Sequence, residues 1–267
     1  MKKCFTINCM RKEEDFIGYN YLLENNFYQG IEIFYPYNVS EEQKLFYTNE
    51  IRKIHKKFPN VEVVMHLPHG HKNSLTDEFC LESMQLMKNA ILYTKEFDTK
   101  KLTLHLGSVK EEKDRSLYID EIAIVLKELC DFAGEYGMNV MVENMPGNGE
   151  LGFDPDELLA IFIKTDKENI KFILDTGHAY VSGRPLTEYV YKLKDYLYHM
   201  HFNDNDGGCD QHKRMHLGTI DFNELFKALS DVNYNELHCM EVIFKEYKEL
   251  IDFAGDLELY QKYYDKE

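Results

Sequence analysis

The sequence predicts an α/β chain folded as a single (β/α)8 barrel of the TIM type over residues 1–267, and three observations carry that reading. Short apolar, β-branched runs alternate with longer stretches whose apolar residues recur at spacings of three and four. Eight such pairs follow one another, and parallel strands need a crossover long enough to hold a helix. The length of 267 residues matches the roughly 250 that a barrel of this kind uses.

In chain order the strands are expected at residues 5–7, 30–34, 61–66, 102–105, 139–143, 170–175, 198–202 and 239–242. The helices between and after them are expected at 13–25, 40–58, 77–97, 115–136, 154–164, 185–194, 221–229 and 246–263. Ser40 followed by Glu42 and Gln43, and Asp154 followed by Pro155, are start signals for the second and fifth helices. An open doubly wound sheet is the rival architecture. It is disfavoured because residues 6–11, after the first strand, contain no glycine and so no Gly-x-Gly-x-x-Gly turn for a dinucleotide. No linker, low-complexity tract or repeat divides the chain.

A content of 44% hydrophobic and 29% charged residues excludes disorder and collagen, and the chain reads as soluble and globular. No run reaches the 18 apolar residues of a membrane span, and the first 15 residues lack the apolar centre of a signal peptide. Cys4, Cys9, Cys80, Cys130, Cys209 and Cys239 form no Cys-x-x-Cys pair, so a reducing cytoplasm is the expected compartment. The net charge of −16 disfavours nucleic acid as a partner unless basic residues gather on one face.

The third to eighth strands each end on a group able to bind a metal or move a proton: His66, His105, Glu143, Asp175, His201 and Glu241. Each shares inward parity with a barrel-filling position, among them Val64, Thr103, Met141, Ile173 and Cys239. All six are expected at the C-terminal mouth, where active sites of such barrels lie. Crowding two glutamates, an aspartate and several histidines there is costly without a cation, and a divalent metal removes the conflict. His178, three residues past Asp175, and the pair Asp210 and His212 are further ligand candidates, since Asp-x-His places two donors on one side of an extended segment.

The segments Met65-His66-Leu67-Pro68-His69, Leu104-His105-Leu106-Gly107-Ser108, Val142-Glu143-Asn144-Met145-Pro146, Leu174-Asp175-Thr176-Gly177-His178, His201-Phe202-Asn203-Asp204 and Met240-Glu241-Val242 resemble the xylose isomerase-like TIM-barrel superfamily. That superfamily includes sugar and sugar-phosphate isomerases and epimerases and the endonuclease IV type of apurinic endonuclease. Resemblance to the ketose 3-epimerases implies one divalent ion, often manganese, on Glu143, Asp175, His201 and Glu241. The two glutamates would then exchange the substrate proton, and His178 would contact substrate. Resemblance to the endonucleases implies three zinc ions on His66 or His69, His105, Glu143, Asp175, His178, His201, Asp210, His212 and Glu241. His66, His69 and His71 all lie within reach of the third-strand position. The expected cofactor is therefore one to three ions of manganese or zinc.

Two chemistries follow. In an isomerase or epimerase a metal-stabilised enediolate forms while Glu143 and Glu241 act as acid and base. In an endonuclease IV-like phosphodiesterase acting on abasic DNA, paired metals generate hydroxide, with Glu143 bridging two ions. The basic residues assigned to the mouth loops, Lys72, Lys110, Lys113, Arg184, Lys213, Arg214 and Lys245, are balanced by Glu111, Glu112, Asp114, Glu150, Asp204 and Asp206. With −16 overall, a small sugar or sugar phosphate is favoured over DNA. His69, His178, Lys213 and Arg214 are the candidate substrate contacts. A barrel that keeps its metal but only binds is the third reading, and it predicts metal without turnover.

Other residues are assigned quieter roles. His199 has inward parity one layer deeper and reads as a hydrogen-bonded support, whereas His238 points outward and His55 to the surface. Ser108 lacks the Gly-x-Ser-x-Gly turn of a serine nucleophile. His216 and Tyr180 are lesser candidates for the pocket lining. Tyr35 and Tyr37 are placed at the mouth wall, and Tyr260, Tyr263 and Tyr264 on a terminal helix packed against the barrel.

Overall fold

A computed structural model describes residues 1–70, 73–76, 80–110 and 114–265. Eight strands form a closed parallel barrel in sequence order: β1 (Lys2–Ile7), β2 (Gly30–Phe34), β3 (Glu62–His66), β4 (Lys101–Leu104), β5 (Asn139–Glu143), β6 (Ile170–Asp175), β7 (Leu197–Phe202) and β8 (Leu237–Met240). The barrel closes through β1 and β8, with Cys4 opposite Cys239. This bears out the (β/α)8 expectation and disposes of the open sheet, which would leave two strand edges unpaired.

The described helices are α1 (Glu13–Glu24), α2 (Glu41–Lys57), α3 (Cys80–Thr94), α4 (Arg115–Gly134), α5 (Pro155–Thr165), α6 (Thr176–Val181), α7 (Leu186–Lys192), α8 (Phe222–Asp231) and α9 (Glu249–Glu258). The start signals act as their chemistry requires. Ser40 Oγ accepts from the N–H of Gln43 at 3.2 Å, and the Asp154 carboxylate accepts from those of Asp156 and Glu157 at 2.8 and 3.4 Å. The short α6, which the periodicity does not announce, starts on the side chain of Asp175. The expected helix start at Asp77 lies outside the described residues.

Inward side chains fill the barrel in layers. Cys4, Val64, Met141, Ile173, Leu237 and Cys239 pack into one fully buried apolar cluster. Below it, at the N-terminal end, the buried ammonium of Lys101 bridges Glu62 (2.7 Å) and Glu236 (2.8 Å) and lies over the Tyr198 ring. Most of the remaining core lies between strands and helices, where the outward faces of the strands meet the apolar stripes of the helices. The six cysteines form no disulfide. Among the described residues no helix is long and apolar enough to cross a membrane.

Candidate metal centre

The ends of β3 to β8 deliver their polar side chains to one mouth, and Glu143 is its fully buried centre. One carboxylate oxygen, Oε2, lies 2.9 Å from His105 Nε2 and 3.8 Å from His66 Nε2. The other, Oε1, lies 3.1 Å from His201 Nδ1 and 3.5 Å from His178 Nδ1. Glu143 thus belongs to two donor sets at once.

Three donor sets line this mouth, and in each the ligand atoms lie within 4.8 Å of one another. They are His66, His105 and Glu143; Glu143, Asp175, His201 and Glu241; and His178, Asp210 and His212. A fourth cluster, one layer deeper, holds Glu32, His199, His201 and Cys239. The carboxylate and the two Nε2 atoms in it are already engaged with one another, while His199 Nδ1 is buried with no hydrogen-bond partner. Glu32 accepts from Thr103 Oγ1 at 2.7 Å and from the Nε2 atoms of His199 (3.0 Å) and His201 (2.8 Å). Burial also raises the Cys239 thiol well above its ordinary range, which disfavours the thiolate a metal takes.

Local structure explains why these side chains converge. Asp175 Oδ1 accepts from the His178 N–H at 2.7 Å, so the residue that ends β6 also caps α6 and draws His178 back over the mouth. The Asn144 amide clamps the same turn, accepting from the Asp175 N–H at 2.8 Å and donating to the Asp175 carbonyl at 3.0 Å. Gly177 is required by close approach, because a Cβ there would stand 1.8 Å from Asn203 Oδ1. His212 takes a left-handed φ of +43° and bonds Asp210 Oδ2 through Nε2 at 2.9 Å, while its Nδ1 donates to the Glu241 carbonyl at 3.0 Å. The loop before it is tied by Asp204, which pairs antiparallel with Lys213 and accepts from the N–H groups of Gly218 and Ile220 at 3.0 and 3.2 Å.

The electrostatics follow from packing carboxylates among imidazoles. Burial opposes ionisation of Glu143, yet His201 and His105 hold its carboxyl well below the usual range. Glu241 is likewise lowered to about 2 against burial, chiefly by His201. Burial disfavours charge on His201, but Glu241, Glu32 and Glu143 raise its imidazole well above the ordinary histidine value. Asp175 is raised to about 6 by burial, with Glu143 and Glu241 adding repulsion against the attraction of His178. Without a cation, protonated histidines neutralise the cluster. The donors fit a divalent metal: they mix imidazole nitrogen with carboxylate oxygen, which suits zinc or manganese. Asp210 Oδ1 is also buried with no hydrogen-bond partner, a lone pair that a cation would satisfy.

The structure brings His66, His105, Glu143, Asp175, His178, His201, Asp210, His212 and Glu241 together in these sets. His66 rather than His69 enters the first set. Its Nδ1 donates to the Leu67 carbonyl at 2.9 Å, which turns Nε2 toward Glu143. The ring of His69 stands at the rim, with its centroid 4.8 Å from that of His66 and 5.0 Å from that of His105. His71, Lys72, Glu111, Glu112 and Lys113 lie outside the described residues. Tyr35 and Tyr37 line a small cavity with Phe34, His66 and His69, at the wall where the sequence places them.

Three of the basic candidates are otherwise engaged. The Arg214 guanidinium forms a two-pronged ion pair with Asp256 of α9 at 2.5 and 2.8 Å, Lys213 lies 3.6 Å from Asp206, and Arg184 pairs with Asp154. Arg214 is thus drawn to the outer helix layer. His199 supports Glu32, His238 is buried against Phe202 and Phe226 outside the barrel, and His216 stacks on Tyr260. The residue that sequence reasoning misses is Glu32. Its available signal is a carboxylate at an inward position inside an apolar strand.

A closed eight-stranded α/β barrel with a histidine and carboxylate cluster at its C-terminal mouth defines the class. The chain belongs to the xylose isomerase-like TIM barrel family, whose profile matches residues 23–257. An uncharacterised protein of Methanocaldococcus jannaschii is 30% identical over 213 residues, covering 72% of each chain. Fructoselysine 3-epimerase of Shigella flexneri is 24% identical over 163 residues, 61% of this chain and 59% of that enzyme. Among solved structures, the IolI protein with a bound zinc atom superposes with a TM-score of 0.82 at 15% identity, covering all of both chains.

Proposed function

We propose that this protein is a divalent-metal-dependent sugar isomerase or epimerase, with Glu143 and Glu241 as its acid–base pair. The observation that carries this is the convergence of the two carboxylates on one donor set. His201 Nδ1 lies 3.1 Å from Glu143 and 3.0 Å from Glu241, and Asp175 completes the set. The likeness to fructoselysine 3-epimerase supports a sugar as substrate.

Glu143, Asp175, His201 and Glu241 would hold the metal. When bound, it supplies Lewis-acid polarisation of a carbonyl and the neighbouring hydroxyl, which acidifies the intervening C–H. One glutamate would take the proton, and the other, having taken up a proton from solvent before substrate binds, would return one to the opposite face of the carbon. His201 is held by Glu32 and keeps its ring in the plane that serves both carboxylates. Asn144 and Asn203 fix Asp175, with Asn203 Nδ2 donating to its Oδ2 at 2.7 Å.

The test is exchange of a ketose C–H proton with deuterated solvent, over a panel of ketoses and their phosphates, with metal-loaded protein. Wild type should exchange, and Glu143→Gln and Glu241→Gln should each slow exchange by roughly a hundredfold or more. Full exchange in both variants rejects the assignment.

A second reading, metal-assisted phosphodiester hydrolysis, is favoured by one observation: the two further donor sets, His66 with His105 and His178 with Asp210 and His212. Elemental analysis of protein purified without chelator separates the two. About one manganese per chain supports the sugar reading, whereas two or three zinc ions followed by cleavage of abasic DNA would replace it.

A further inference from the structure

The chain has five arginines, and four of them lie in ion pairs: Arg52 with Glu96, Arg115 with Glu157, Arg184 with Asp154 and Arg214 with Asp256. Arg11 differs. Among the described residues no carboxylate lies within ion-pair distance of its guanidinium, although acidic residues outnumber basic ones by 47 to 31. Its Nε is buried with no hydrogen-bond partner, and the guanidinium carbon stands 3.9 Å over the centre of the Phe244 ring. The backbone is tied down as well, since the Arg11 N–H donates to the Asn8 carbonyl at 3.2 Å and its carbonyl accepts from Gln43 Nε2 at 3.3 Å.

Arg11 lines a cavity of about 650 Å3 that also takes in Glu241 and His212 of the metal centre. That volume is ordinary for a small-molecule site, for which about 300–1,000 Å3 is typical. Lys12 and Lys245 line the same cavity, and no ion pair holds either ammonium among the described residues. Of the three acidic residues lining the cavity, Glu241 belongs to the metal centre, Asp15 is turned to the backbone N–H of Lys12 at 2.9 Å, and Glu14 is solvated. A guanidinium fixed by stacking, lining the cavity and held by no carboxylate, is matched by a doubly charged oxyanion, which its outer N–H groups can grip.

We propose that Arg11, with Lys12 and Lys245, forms an oxyanion subsite for a phosphate group of the substrate. Resting on the sugar reading above, this narrows the substrate class to phosphorylated sugars. The sugar end meets Glu241 and the phosphate meets Arg11, so one molecule spans the cavity. Lys213 and Arg214, the basic residues nearest to hand in the sequence, are displaced from that role by their pairing with Asp206 and Asp256.

The test is calorimetric titration of metal-loaded wild type, Arg11→Met and Arg11→Lys with three probes of one carbon skeleton, namely a ketohexose, its 6-phosphate and the matching sugar acid, and with inorganic phosphate. Wild type should bind the phosphate ester at least tenfold tighter than the ketose. In Arg11→Met that advantage should fall below twofold at unchanged metal content, and Arg11→Lys should restore part of it. Phosphate binding lost with Arg11→Met while no sugar binds would keep the subsite and sink the sugar reading. An advantage that survives in Arg11→Met overturns the proposal, as does one absent from wild type or given only by the sugar acid.

Discussion

Glu32 and His201 are 169 residues apart in the chain and 2.8 Å apart in the barrel, joined by a fully buried hydrogen bond from Nε2 to the carboxylate. A carboxylate can only accept, so this contact keeps a proton on Nε2 and leaves Nδ1, the atom facing Glu143 and Glu241, as the donor to a cation. Thr103 and His199 hold Glu32 in turn. The glutamate on β2 thereby sets the direction of the His201 ring on β7.

Glu32→Gln keeps the shape of this support and removes its charge. Metal affinity, read by competition with a chromophoric chelator, should fall by roughly 10- to 100-fold while the barrel stays folded. Wild-type affinity in the variant would show that Glu32 is packing alone.

The donor sets on either side of Glu143 share no histidine with one another. Where more than one ion binds, as in the phosphodiesterase reading, His105→Ala should therefore reduce occupancy of the first set and spare the third, and His212→Ala should do the reverse, whereas on the sugar reading neither change should remove the single ion. Metal-to-protein ratios for each variant and for the double variant check this. If either single change empties the whole mouth, the sets fill only as a unit.

His238 is buried outside the barrel and neutral, its Nδ1 donating to the Glu236 carbonyl and its Nε2 accepting from the Tyr264 hydroxyl. Burial lowers its pKa from 6.5 to about 3. The folded state therefore binds fewer protons there than the unfolded chain between those values. The contribution to stability is complete above pH 6.5 and is lost as pH falls toward about 3, at about 1.4 kcal/mol for each unit. Urea unfolding between pH 7 and 5 should show a shallower loss in His238→Gln than in wild type, and parallel slopes would refute it.

Gly218 stands against the Asp204 turn, where an added Cβ would lie 2.2 Å from the Asn205 carbonyl oxygen and 2.3 Å from Asp204 Oδ1. A backbone carbonyl cannot swing aside as a flexible side chain can. Gly218→Ala should cost about 2 kcal/mol and weaken the third donor set, because Asp204 pairs with the strand-like segment next to His212. Chemical denaturation and metal counting report the two effects separately.

The barrel is legible in the sequence because eight buried strands must each be apolar and each be followed by a crossover. Their ends are less so. β4 and β8 stop at Leu104 and Met240, one residue short of His105 and Glu241, because the ladder ends where the chain turns outward to form the mouth. Six of the nine candidate donors, His66, His105, Glu143, Asp175, His201 and Glu241, are readable because each sits at or next to a strand end with inward parity. Glu32 escapes that rule by lying in mid-strand, and no spacing relates it to His201. Arg214 is misleading for a similar reason, since its partner Asp256 is 42 residues away on α9 and only the packing of that helix brings it near. Arg11 draws no notice in a short loop, because the lack of a partner is a property of space and not of sequence.

The apolar plug of Cys4, Val64, Met141, Ile173, Leu237 and Cys239, with Lys101 locked beneath it, closes the barrel from below. On the proposed function, cation and substrate would then share one doorway, and a substrate seated between Arg11 and Glu241 would stand between the ion and a chelator.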